Sequence, residues 1–165
     1  MATITDYFVQ AQLSMAAYAV GLLPGMYRAA DYPAYVEALI DAGMSQRQAE
    51  EFANTYSVID QYTDPLSGFS GTVFADEAGN KYVAIRGSEA GVFSSAPDWL
   101  LTNAGDIGND GIALYQGIAL FNWLQRLYGS PGHPVVQYYY NEVTRSVGVG
   151  SYATADPRFS LRPSR

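Results

Sequence analysis

Gly87 and Ser88 follow a short apolar run, Tyr82–Ile85, and precede a stretch rich in Asp, Asn and Gly that carries Trp99. Glycine lets a backbone turn, or approach a ligand, without a Cβ clash. The serine beside it offers an N–H and a hydroxyl at the carboxyl end of the strand, where α/β sheets bind ligands. Two convergent donors at such a place could hold the oxyanion of an acyl transfer. On spacing alone the preferred reading is plainer: a Gly-Ser turn that caps a helix.

Other chemistry is thinner. "DIGNDG" (Asp106–Gly111) has the opening of a calcium loop, with Asp106, Asp110 and Gly111 in phase. Gly108 holds the third position, and Gly117 the twelfth, where a bidentate Glu is required. The expectation is no cofactor, with Asp106 and Asp110 as the one calcium candidate. Asp98 paired with Asp106 or Asp110 would suit glycoside cleavage, but nothing sets their separation. The only histidine, His133, lies in the turn "SPGHPVV" and reads as a surface residue. There is no cysteine, which excludes disulfides and thiolate metal sites.

The elements that must position these groups begin with helices. Phe8, Ala11, Met15 and Tyr18 recur at spacings of three and four, one face of a first helix that Gly21 and Pro24 end. Asp31 and Pro33 start a second, with Val36, Leu39, Ile40 and Met44 as its buried stripe and Gly43 as its stop. Ser45 and Gln48 form a capping box that opens a third, through Phe52 to about Tyr56. Strands follow. Ser57–Tyr62 is short and β-rich. "FSGTVFA" and "KYVAIR" flank "DEAGN" as a hairpin, with Gly79 and Asn80 tolerating positive φ in its turn. Tyr82–Ile85 is apolar on both faces, which predicts a strand in the middle of a helix-covered sheet. Ser95, Pro97 and Asp98 signal another helix start, anchored by Trp99 and Leu100.

Gly111–Tyr128 gives the longest helical signal. Leu114, Ile118, Phe121 and Leu124 lie on one face and Ile112, Tyr115, Ala119 and Trp123 on another, which predicts a buried core helix; the other use of such a helix is as a lipid-facing lid. "HPVVQYYYNEV" fits strand or helix equally, and "ATADPRFSLRPSR" carries neither pattern. The chain reads as a single domain over 1–165: a helical lead-in at 1–56, strands and helices at 57–128, and an irregular end at 129–165.

Bulk properties narrow the class. Of 165 residues, 48% are apolar and 15% charged. That is the composition of a folded domain. A net charge of −7 and a pI near 4.4 argue against nucleic acid as a partner and fit a soluble, self-repelling protein. No apolar run reaches the length of a membrane span. The first basic residue is Arg28, so no signal-peptide n-region is legible, and export would have to proceed without a cleaved signal. Fourteen tyrosines suit half-wet surfaces, most simply the rim of an ordinary core.

"VAIRGSE" followed by "DWLLTNAGDIGNDG" resembles the class 3 lipases and the related signal-less bacterial secreted lipases, which are α/β-hydrolases. The best match covers Tyr82 to about Gly111, with Ile85 where that family usually has Phe. The resemblance implies a partial α/β-hydrolase-like fold, a helical N-terminus followed by a short sheet with helices. It puts Ser88 at the oxyanion-hole position, with Gly87 as its backbone neighbour and Arg86 as a structural residue. It implies carboxylic-ester or lipid substrates. The fold's nucleophile needs a Gly-x-Ser-x-Gly elbow, and none is present. Ser70 has Gly68 two before it but Thr72 two after; Ser151 follows Gly150 directly. The expectation is therefore the N-terminal part of a serine hydrolase, inactive alone. Its triad would lie on a missing C-terminal half or a second chain, and its unpaired edges would invite self-association. The alternative is a non-catalytic, acidic, Tyr-rich binding or interaction domain.

Overall fold

The computed structural model describes residues 2–65, 67–87, 114–141 and 143–154. They form helices and two small antiparallel sheets, so helices and strands are segregated in the α+β manner. The described residues fall into two compact units. One draws on the chain up to Thr63 and on Ser70–Gly87; the other draws on Asp64–Phe69 and the described residues from Leu114 onward.

The first unit opens with α1 (Ile4–Ala16), α2 (Pro33–Asp41) and α3 (Gln46–Thr55). Local chemistry sets their starts. The Thr3 hydroxyl accepts from the Asp6 N–H (3.2 Å) while the Asp6 carboxylate accepts from the Thr3 N–H (2.6 Å). This reciprocal pair satisfies two amides that the first turn leaves free. Pro33 occupies the first turn of α2, where its missing N–H costs nothing. Ser45 and Gln48 make the reciprocal capping box on α3. Gly43, at φ +102°, turns the chain between α2 and α3 in a conformation that side chains disfavour.

The three-stranded sheet runs β1 (Tyr56–Thr63), β2 (Ser70–Asp76), β3 (Lys81–Ile85), each pair antiparallel. Gly79, at φ +82°, makes the β2–β3 turn; Asn80 needs no positive φ. Beneath the sheet, Phe52 meets Phe74 edge to face (5.2 Å between ring centroids), and Tyr56 meets Tyr82 likewise (5.6 Å). Both pairs have the geometry that aromatic quadrupoles favour. Tyr35 is wholly buried, and its hydroxyl donates to the Tyr56 carbonyl (3.2 Å). Burial pushes its phenol well above the usual value.

Two sequence expectations are corrected here. Tyr82–Ile85 is not the middle strand. β2 is, buried along Ser70–Ala75, while β3 ends the sheet among the described residues with Val83 41% and Ile85 50% exposed. Tyr82 and Ala84 face the helices, and the alternation of a strand turns Val83 and Ile85 to the opposite face. The stripe Phe8–Ala11–Met15–Tyr18 is not the core face of α1, and Tyr18 lies in the turn after the helix. Leu13 and Ala16 are buried and Val9 packs against the same core; of the stripe, Met15 alone reaches it, from the edge.

The second unit holds α4 (Leu114–Tyr128), β4 (Pro134–Asn141) and β5 (Ser146–Thr154). Residues 129–165 are therefore not an irregular end throughout: β4 and β5 pair as an antiparallel hairpin. The Asn141 side chain accepts from the N–H groups of Val143 (3.0 Å) and Thr144 (3.1 Å). An Asn that bonds the backbone just ahead of it shapes a turn in this way. Gly148 and Gly150 hide the strand character of β5. A Cβ on Gly148 would come within 2.8 Å of the Tyr139 ring. The tyrosine of one strand thus fills the space that the other leaves. α4 packs on β4 through Phe121 against Tyr138 and Tyr115 against Tyr140, both at 5.5 Å and edge to face. The Asn122 amide accepts from the Tyr138 N–H and donates to the Tyr138 carbonyl, each at 2.8 Å. It stands in for a neighbouring strand by pairing both backbone groups. Ala119, Trp123 and Leu127 are buried, and Phe121 and Tyr128 are half exposed, so α4 is not enclosed on every side. No helix among the described residues is long and apolar enough to cross a membrane.

Candidate functional site at the end of β3

The β2–β3 ladder runs one residue beyond β3. The Arg86 N–H donates to the Ser70 carbonyl at 2.9 Å, which fixes the direction in which the chain leaves the sheet. Gly87 comes next and is exposed. A Cβ built on it would lie 3.0 Å from the Tyr18 hydroxyl, tighter than ordinary van der Waals contact. The strand end thus meets the turn that follows α1, and glycine is the residue that fits without displacing the tyrosine.

The base of this strand end is held by polar groups. Gln61, on β1, accepts from the Leu22 N–H (3.0 Å) and donates to the Ala19 carbonyl (2.8 Å) and the Thr72 hydroxyl (2.9 Å). One side-chain amide therefore ties the segment after Tyr18 to the sheet. Ser70 is buried and shares a hydrogen bond with the Thr63 hydroxyl (3.0 Å), a structural role and not that of an exposed nucleophile. At the far end of the hairpin, the Asn80 side chain donates to Asp76 (2.8 Å), as do the Asn80 N–H (2.8 Å) and the Tyr82 hydroxyl (3.0 Å). The Asn80 amide foremost, with these other donors, holds the Asp76 carboxyl below the usual carboxylate range. Its hydrogen bond to the Asp76 carboxylate raises the Tyr82 phenol.

Neither family models, nor curated proteins, nor solved structures give a match to this chain.

Of the residues singled out from sequence, Gly87 is placed as above. Ser88, Asp98, Trp99, Asp106 and Asp110 lie outside the described residues. Gly117 sits on α4 with open space around it. His133 is exposed in its turn, its N–H donating to the Ser130 carbonyl (2.9 Å). No group of three His, Cys, Asp or Glu side chains gathers as metal ligands among the described residues.

Sequence reasoning missed a groove of about 580 Å³ along α2 and α3. Pro33, Val36 and Ile40 give it an apolar wall; Glu37, Glu50 and Asn54 line it with polar groups. Asn54 is held by the Ala29 N–H (2.9 Å), and Glu50 by the Gln46 amide (2.5 Å). The one sequence signal for it is Val36 and Ile40 in the apolar stripe of α2.

Proposed function

We propose that this chain is the N-terminal portion of a serine ester hydrolase acting on acylglycerols or other carboxylic esters. It supplies the oxyanion element, Ser88 with the Gly87 backbone, and not the triad. The observation that carries the reading is Gly87: a side-chain-free strand end, packed against Tyr18, directly before a serine. The order of elements supports it too, with helices first and then a hairpin whose last strand runs into Arg86-Gly87-Ser88. In the complete enzyme a serine outside this sequence attacks the ester carbonyl. A histidine takes the serine proton and returns it to the leaving alcohol, and the Ser88 N–H and hydroxyl hold the oxyanion.

A fluorophosphonate probe tests this. The purified chain is expected to remain unlabelled, and the product of the whole reading frame to be labelled at one serine. In that product Ser88→Ala is expected to lower kcat by about 10²–10³-fold. Labelling of the present chain alone overturns the proposal.

The groove along α2 and α3 favours a second reading, a binding domain whose acidic, partly apolar surface takes a cationic partner. An unlabelled full-length product that retains a cooperative fold selects it.

A further inference from the structure

We propose, resting on the reading of the α2–α3 groove as a site for a cationic partner, that its occupant is an extended, arginine-bearing segment of another protein. α2 and α3 are joined by the four residues 42–45 and lie antiparallel, because the chain entering α2 is tied to the end of α3. The Arg28 N–H donates to the Ala53 carbonyl and the Ala29 N–H to the Asn54 side chain, each at 2.9 Å. Antiparallel packing sets Pro33 at the Asn54 end and Ile40 at the Gln46 end of the groove. It brings Glu37, the middle residue of α2, opposite Glu50 at the middle of α3. Two carboxylates therefore stand on opposite banks beside the apolar wall of Val36 and Ile40. Among the described residues neither is paired with a cation. Arg47 is engaged with Glu51 (2.9 Å), and the Arg28 guanidinium lies over the Tyr27 ring (5.4 Å). A cleft lined by charge of one sign along an apolar wall concentrates the opposite charge.

A guanidinium suits this arrangement better than an ammonium. It is flat, so its face lies on apolar side chains, and its donors point outward along more than one edge, toward carboxylates on both banks. The ends of the groove address a peptide backbone. The Asn54 side-chain carbonyl is taken by the Ala29 N–H, which leaves its NH2 to donate to a carbonyl. The Gln46 NH2 is taken by Glu50 (2.5 Å), which leaves its side-chain carbonyl to accept from an N–H. Pro33 to Ile40 is a helical rise of about 10 Å, the span of about three extended residues. A free amine has no group for either end. A small ligand would also be poorly enclosed, since Pro33, Glu37, Glu50 and Asn54 are exposed and small-molecule sites bury most of their occupant. A segment that enters and leaves through open ends needs no such enclosure. The site does not depend on the hydrolase reading.

The probe is the acetylated, amidated pentapeptide Val-Ala-Arg-Ala-Val, whose valines fall on the same side as the arginine when it is extended. Titrated to about 5 mM into the isotope-labelled chain, it should move the amide NMR signals of α2 and α3 and approach saturation with a dissociation constant of about 0.1–1 mM. Citrulline in place of the arginine keeps the shape without the charge and should weaken binding about tenfold. Glu37→Gln and Glu50→Gln should each weaken it about two- to fivefold. Glu77→Gln, which removes the same charge from the β2–β3 turn, should leave it unchanged. The proposal is overturned if the peptide moves no signals of α2 and α3, if the citrulline peptide binds as well, or if both groove variants bind like the parent. Ethylguanidinium separates this failure from that of the broader reading. Groove signals that respond to it and not to the peptide leave a cation site that takes no peptide; signals that respond to neither remove the cationic partner as well.

Discussion

The Tyr18 hydroxyl stands 3.0 Å from where a methyl group on Gly87 would be, so the exit of β3 is shaped by a residue from the turn after α1. Tyr18 is partly exposed, and its ring can give by a few tenths of an ångström. Gly87→Ala is expected to cost under about 1 kcal/mol, and Gly87→Val, whose branches reach further, measurably more. Tyr18→Phe should relieve the crowding and restore Gly87→Ala to the parent midpoint in urea. Equal costs in the two Tyr18 backgrounds would count against the contact.

Gln61 makes three hydrogen bonds from one half-buried amide. Gln61→Ala leaves the Leu22 N–H and the Ala19 carbonyl without that partner, a loss of about 2 kcal/mol. Gln61→Glu keeps the acceptor for Leu22 but turns an acceptor toward the Ala19 carbonyl, and it should fall no less. Denaturant midpoints at constant m-value report both.

The Asp76 carboxyl, held below its ordinary range by Asn80, gives stability a defined pH dependence. A depressed carboxylate stabilises the fold above its unfolded value, and that contribution is lost as pH falls through the lower folded value. Asn80→Ala is therefore expected to be less stable than the parent at neutral pH. The gap between them should narrow below about pH 4, the unfolded range of Asp. Melting temperatures at several pH values test the sign; a gap that widens in acid contradicts it.

In the second unit, Asn122 satisfies both backbone groups of Tyr138. Asn122→Ala is expected to cost about 2 kcal/mol. Asn122→Asp keeps the acceptor for the Tyr138 N–H and loses the donor to its carbonyl, and should lie no higher in stability. Tyr138 and Tyr140 pack against α4, so near-ultraviolet circular dichroism should register the loosening in both variants.

What the sequence discloses is what short-range chemistry decides. Ser45 with Gln48, Pro33 in a first turn and Gly79 between two strands each act within four residues, and all appear where their types place them. The capping box of Thr3 with Asp6 is harder to read because Asp replaces the usual Glu or Gln. Choices between faces need the tertiary structure. α1 offers large apolar residues on one side and Leu13 with Ala16 on the other, and the small alanine lets that side lie close to the core. β3 looks interior because Val83 and Ile85 are apolar, yet β2 takes the middle place. β5 is hidden by Gly148 and Gly150, whose missing bulk comes from Tyr139 across the hairpin. At the candidate site the glycine is legible, while its reason, a hydroxyl distant along the chain, is not. The groove along α2 and α3 exists only once two helices are assembled.

β2 is paired along both edges and buried over Ser70–Ala75, whereas β3 has a paired neighbour on one side among the described residues. Opening that leaves the hairpin centre intact exposes β3 first. In heavy water, the amide of Val73, which the ladder turns toward β1, would then outlast that of Ala84, which it turns toward β2, and the lag between them would time the rupture of the whole first unit.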